Sequence, residues 1–166
     1  MNIGFEYGDG MLYADLPDNR TDVFVPGETV PDPPALEDPV ASTREAILNP
    51  IGLEPLAAQA SADSKVVIVF PDRVKGGSHP TAHRRVSIPI VLEELYKAGV
   101  SKQNIRMICS NGLHRKNKPH EIREIVGPEI YDEYVLLNNV ENHDSEDWGN
   151  LVDLGYDDDN NHVIMN

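Results

Sequence analysis

The stretch Lys65-Val66-Val67-Ile68-Val69-Phe70, with the loop Pro71-Asp72-Arg73-Val74-Lys75-Gly76-Gly77-Ser78-His79-Pro80-Thr81-Ala82-His83-Arg84-Arg85 behind it, decides how this chain is read. A continuous β-branched apolar run is the pattern of a strand buried on both faces, as in a parallel α/β sheet. After the polar, glycine-containing loop, Ile88, Val91, Leu92 and Leu95 recur at helical spacing up to Gly99, a residue suited to closing a helix.

The cycle repeats. Ile105 to Cys109 reads as a strand, Ser110 to Lys118 as a loop, and Pro119 to Val126 as a helix with Pro in its first turn and Gly127 after its end. A third strand is expected at Tyr134 to Leu137. The order β-α-β-α-β predicts right-handed crossovers and a mostly parallel sheet with helices on its faces, a Rossmann-like three-layer α/β domain. Upstream, Ile3 to Tyr7 and Met11 to Asp15 flank Gly8-Asp9-Gly10 and predict an N-terminal β-hairpin. Pro26, Pro31, Pro33, Pro34 and Pro39 predict an extended surface connector, leading to a short helix over 42–48 capped by Ser42 or Thr43. Downstream, Leu151 to Leu154 and His162 to Met165 can pair around the acidic turn Asp157-Asp158-Asp159-Asn160.

With 166 residues the chain has the size of one domain. Its net charge of −14 argues against a nucleic-acid partner, since phosphate-backbone affinity depends on clustered Lys and Arg. The charge is uneven, however. Most Lys and Arg fall between Lys65 and Lys118 while both flanks are acidic, and a locally cationic zone on an anionic body suits a small anion. Cys109 is the single cysteine, so no intramolecular disulfide forms. The first residues lack the basic start and apolar run of a signal peptide, and no apolar stretch approaches the ~20 residues that span a bilayer, so a cytoplasmic protein without a membrane partner is expected.

Ligands of open α/β sheets bind outside the carboxyl ends of the strands, and there this chain places both polar loops. In the first, Gly76-Gly77 lets backbone approach a ligand closely, the next helix offers oriented N–H groups, and Lys75, Arg84 and Arg85 bring charge, so a phosphate or carboxylate is the natural guest. It has neither Walker A nor Gly-x-Gly-x-x-Gly spacing. A merely solvated basic loop is the alternative. In the second, Ser110-Asn111-Gly112-Leu113-His114-Arg115-Lys116-Asn117-Lys118, an imidazole just beyond a buried strand is placed for proton transfer. The alternative is a histidine that only hydrogen-bonds its loop. His79 and His83 at i, i+4 would face one metal on a helix, but spacing fixes no third ligand. His143-Asp144 reads as either a carboxylate-oriented histidine or a capped turn, Cys109 as a core residue, and Trp148 as packing against the last loop or a neighbouring domain.

At these loops the chain resembles the N-terminal domain of the lactate racemase family, whose members use a nickel pincer nucleotide. The likeness runs from the hairpin through Asn49-Pro50-Ile51-Gly52, the strand ending at Asp72, Pro89 to Leu95, and Gly112-Leu113-His114-Arg115 to the His143-Asp144 turn. It implies that residues 1–166 are a single N-terminal domain of a larger protein, cut near Asn166 at the junction to a C-terminal domain that would be its partner. It further implies a racemase or epimerase of small 2-hydroxy acids, inactive as this piece alone. His114 would be the acid/base histidine, with Arg115 beside it in the catalytic loop. Asp72, Arg73, Lys75, Gly76, Gly77, Arg84 and Arg85 would hold the cofactor. The family's Asp-x-Thr-Arg-Pro stands here as Asp72-Arg73-Val74-Lys75-Gly76. The nickel-ligating histidine, the pincer lysine and the second catalytic histidine would lie beyond this chain, which itself would hold no metal. A non-catalytic nucleotide- or phosphate-binding module, using the same loops, and an interaction scaffold are the competing functions.

Overall fold

A computed structural model of the chain describes residues 1–25, 27–144 and 146–165. Pro26, the first proline of the expected connector, and Asn166 lie outside them. The chain divides into two compact units, Met1–Leu36 and Glu37–Asn166. The first carries the expected hairpin, β1 (Asn2–Tyr7) against β2 (Gly10–Asp15), with Phe5 opposite Leu12 and Gly8 turning at a φ of 59°. Residues 31–36 have no regular structure and are exposed, as a proline-rich connector requires.

The second unit is built on a parallel sheet in which β3 (Val66–Pro71), β4 (Ile105–Ser110) and β5 (Val140–Asn142) lie in that order. Helix α1 (Pro39–Leu48) and the single turn α2 (Leu56–Gln59) precede it, α3 (His83–Lys97) joins β3 to β4, and α4 (Pro119–Val126) and α5 (Pro128–Leu136) join β4 to β5. Strand order advances in one direction, so right-handed crossovers put all the connecting helices on one face. Burial follows. Phe70, Ile105, Met107 and Cys109 join Leu92, Leu95, Ile122, Ile125 and Tyr134 in the core, while Val67 and Val69 on the opposite face are 54% and 63% exposed. The burial on both faces expected of β3 is corrected here: the helices that connect these three strands cover one face, and Val67 and Val69 lie on the other.

Two local expectations are also corrected. Tyr134 to Leu137 is the end of α5, not a strand: Pro128 opens the helix at its first position, Tyr134 turns into the core and bonds Tyr96 Oη at 2.6 Å, and the strand comes later, at β5. Helix α1 starts at Pro39, capped by Asp38, whose Oδ1 accepts the Val40 and Ala41 amides at 3.0 Å, and not by Ser42 or Thr43. Near the end, β6 (Val152–Tyr156) and β7 (His162–Met165) form the expected antiparallel pair, around a turn in which Asp157 accepts the Asp159 and Asn161 amides. Trp148, expected to pack, is largely exposed. Among the described residues no helix is long and apolar enough to cross a membrane.

Candidate functional site

β3 ends at Pro71, so Asp72 is the first residue past the strand's carboxyl edge, 2% exposed despite its charge. Its Oδ1 accepts the Val74 amide at 3.2 Å, and its carbonyl accepts the Lys75 amide at 3.2 Å. Those bonds turn the chain sharply into Gly76 and Gly77, with φ of 98° and 67°. A Cβ on Gly76 would lie 2.7 Å from the His83 ring, so both backbone angle and space demand glycine there.

The loop is fixed from below by Arg84. Only 2% exposed, it donates from Nη1 to the Pro71 carbonyl at 2.8 Å and to the Asp72 carbonyl, and from Nη2 to the Gly77 carbonyl. Its two Nη atoms therefore bind the loop's own backbone, while its buried Nε has no partner among the described residues. Burial lowers its pKa, against Cys109 and Asp72, which raise it. Arg85 reaches the far end of α4, where Nη1 donates to the Glu124 carbonyl at 2.9 Å. Of the expected cofactor cations, Arg73 and Lys75 stay exposed beside the glycines.

The second loop brings His114 to the first. His114 Nδ1 lies 2.6 Å from Asp72 Oδ2, and since a carboxylate oxygen accepts, Nδ1 carries the hydrogen and Nε2 is left with a free lone pair. Asp72 is buried and His114 is half exposed, so the acid orients while the imidazole faces outward. Asn111 holds the turn, with its Nδ2 donating to the His114 carbonyl at 2.6 Å and its carbonyl accepting the His114 amide at 2.9 Å. Lys75 follows Asp72 in the same loop, so all three residues expected at one rim of the sheet are on it.

Arg115 does not point into open space. Its Nη1 and Nη2 donate to Glu121 Oε2 and Oε1 at 2.9 and 2.6 Å, a bidentate pair. Glu121 Oε2 also accepts the Lys118 amide at 2.8 Å, and Oε1 lies 3.4 Å from Arg73 Nε. Hydrogen bonds from Arg115, then from the Lys118 amide, hold the Glu121 carboxyl at about 2. Neither Glu121 nor the clamping role of Arg84 was expected. Glu121 occupies the third position of α4, where a capping-box acid belongs, but Lys118 at the cap disguises the motif.

Between the first loop and α4 lies a cleft of about 350 Å³ lined by Arg73, Val74, Gly77, Ser78, His120 and Glu121. His79 sits in the loop, 3.1 Å from Thr81 Oγ1, while His83 opens α3, so the two do not share a helix face. His143 donates its amide to the Cys109 carbonyl at 2.8 Å, and its buried Nδ1 has no partner among the described residues. Asp144 accepts from Lys116 Nζ at 3.0 Å. Cys109 is fully buried, and burial followed by Asp72 pushes its thiol up to about 11. Among the described residues no three His, Cys, Asp or Glu side chains cluster closely enough to hold a metal.

The family model of the lactate racemase N-terminal domain matches residues 7–166. No curated protein matches the chain. Among solved structures, a lactate racemase apoprotein from Thermoanaerobacterium thermosaccharolyticum is similar at 22% identity and a TM-score of 0.58, over 100% of this chain. The chain spans 36% of that protein's length.

Proposed function

Because the chain belongs to the lactate racemase N-terminal domain family, we propose that it is the acid-base and nucleotide-holding part of a longer racemase or epimerase of small 2-hydroxy acids. The observation that carries this reading is the 2.6 Å contact between the buried Asp72 and the outward-facing His114. With Nδ1 held by Asp72, Nε2 takes the hydroxyl proton of a 2-hydroxy acid and returns it at the end of the cycle. An imidazole is suited to a hydroxyl proton, whereas abstraction from the α carbon asks far more of a base.

A nickel pincer nucleotide, when bound, would supply the acceptor for hydride from the α carbon. The residues present fit its nucleotide part: Arg73 and Lys75 are exposed cations beside Gly76-Gly77, where a Cβ on Gly76 would crowd the His83 ring, a donor set suited to a phosphate. In this reading the ligands of nickel itself come from the rest of the longer protein. Lys75, exposed in the same loop, is also a candidate partner for the substrate's carboxylate. Arg84 is assigned to the loop's integrity.

In the full-length protein, His114→Ala abolishes racemisation and leaves nickel per protein after gel filtration unchanged, whereas Lys75→Ala lowers the nickel retained. Equal nickel loss from both substitutions would mean that the two loops have the opposite roles. Full racemisation by His114→Ala, with nickel retained, would leave only a nucleotide-binding module.

A further inference from the structure

The two loops that meet at Asp72 and His114 leave neighbouring strands paired up to Pro71 and Ser110, and beyond that point no backbone hydrogen bond joins one loop to the other among the described residues. Each member of the pair has an arginine as its next neighbour in sequence: Arg73 after Asp72, Arg115 after His114. Both arginines converge on one carboxylate, that of Glu121, which is 7% exposed and anchored by the Lys118 amide at the start of α4. We propose that Glu121 is the positioning residue of the Asp72–His114 pair, tying residue 73 to residue 115 and so holding the two loops at the separation at which the imidazole meets the carboxylate.

Three features support this over a simple helix cap. A cap needs one oxygen for one amide, yet both Glu121 oxygens are engaged, and Oε1 serves only the two arginines. The fork of Arg115 fixes direction as well as distance, because two parallel N–H···O bonds leave the guanidinium plane no freedom to swing. The carboxyl is held down at about 2, so the bridge stays charged at neutral pH. Glu121 touches neither Asp72 nor His114; it acts through their neighbours. The pairing also occupies Arg115 with Glu121, whereas Lys75 stays exposed in the first loop.

The inference rests on the reading of His114 as the acid-base group, and its test is chosen to fail separately. In the uniformly ¹⁵N-labelled chain, Glu121→Gln removes the charge and keeps the shape. The expected result is a circular-dichroism spectrum like the parent's, an at least threefold loss of preference for the Nδ1–H tautomer of His114, and a titration midpoint for that ring moved by about half a unit or more. In the full-length protein, kcat falls about tenfold or more with KM little changed, as misplacement of a proton-transfer group requires. Should Glu121→Gln not fold, Arg115→Gln breaks the same pair from its exposed side and is read in the same way. A His114 tautomer and midpoint identical to the parent's in the folded variant would overturn the proposal and reduce Glu121 to a helix cap. Movement of the His114 signals together with undiminished turnover by His114→Ala would instead uphold the positioning role and sink the catalytic one.

Discussion

The loops after β3 and β4 occupy equivalent places in successive β-α cycles, yet they are held in unlike ways. The first is gripped from inside the protein by one buried cation, Arg84, that donates to three backbone carbonyls. The second is held near the surface by a charge pair, Arg115 with Glu121, and by the Asn111 turn. A buried donor to carbonyls is costly to lose, because each acceptor left without a partner keeps its desolvation penalty. An ion pair whose arginine is open to solvent contributes less to stability, and its value lies in geometry. The difference teaches that the first loop is anchored from within as a base for Asp72, and the second is held to it from its rim, where the Arg115–Glu121 pair sets the place of His114.

The largest effect therefore belongs to Arg84→Met, which keeps the stem and removes the donors. It should destabilise the second unit by on the order of 3 kcal/mol in urea unfolding. A loss below about 1 kcal/mol would erase the contrast between the loops. Gly76→Ala follows, at about 1–2 kcal/mol, since alanine must adopt a φ of 98° and displace the His83 ring. Arg115→Ala should cost less in the same unfolding than Gly76→Ala while disturbing the His114 ring, separating stability from positioning.

Acid provides a finer comparison. The Glu121 carboxyl is depressed in the fold from its ordinary 4.5 to about 2, so its contribution is complete above 4.5 and is lost as pH falls toward 2. Arg84 grips carbonyls, which do not titrate. Amide exchange between those two pH values should accelerate at residues 112–118 before residues 76–77. Simultaneous loosening would refute the division of labour. At the alkaline end the sign reverses for Cys109: its thiol is raised from 9.0 to about 11, so the stability it lends is present below 9 and fades as pH climbs toward 11. At neutral pH the buried thiol should resist iodoacetamide until the chain is unfolded.

Much of this fold is legible in residue pattern. The apolar run at 66–70, the glycines closing helices and the turn chemistry of the hairpin each have one cheap local solution. The third strand was not, because Tyr134-Val135-Leu136-Leu137 is apolar in any register, and only burial of Tyr134 with exposure of Leu136 marks it as helical. Nor was the open face of β3, since Val67 and Val69 look like core residues until the strand order is known. Asp72 and His114 stood out as polar groups just past apolar strands. The hold of Arg84 on its loop was not legible: a cation near a glycine-rich loop reads as a ligand group, and only its burial and its bonds to three carbonyls reveal a clamp. Glu121 gave almost no signal, because its importance lies in two arginines far apart in sequence.

The central claim is that Asp72 presents His114 with Nε2 free. Long-range ¹H–¹⁵N spectra of the labelled chain test it directly, by assigning which ring nitrogen of neutral His114 carries the hydrogen. The account requires the hydrogen on Nδ1, with that preference lost on Asp72→Asn. A hydrogen on Nε2 in the parent, or a tautomer indifferent to Asp72→Asn, would contradict it.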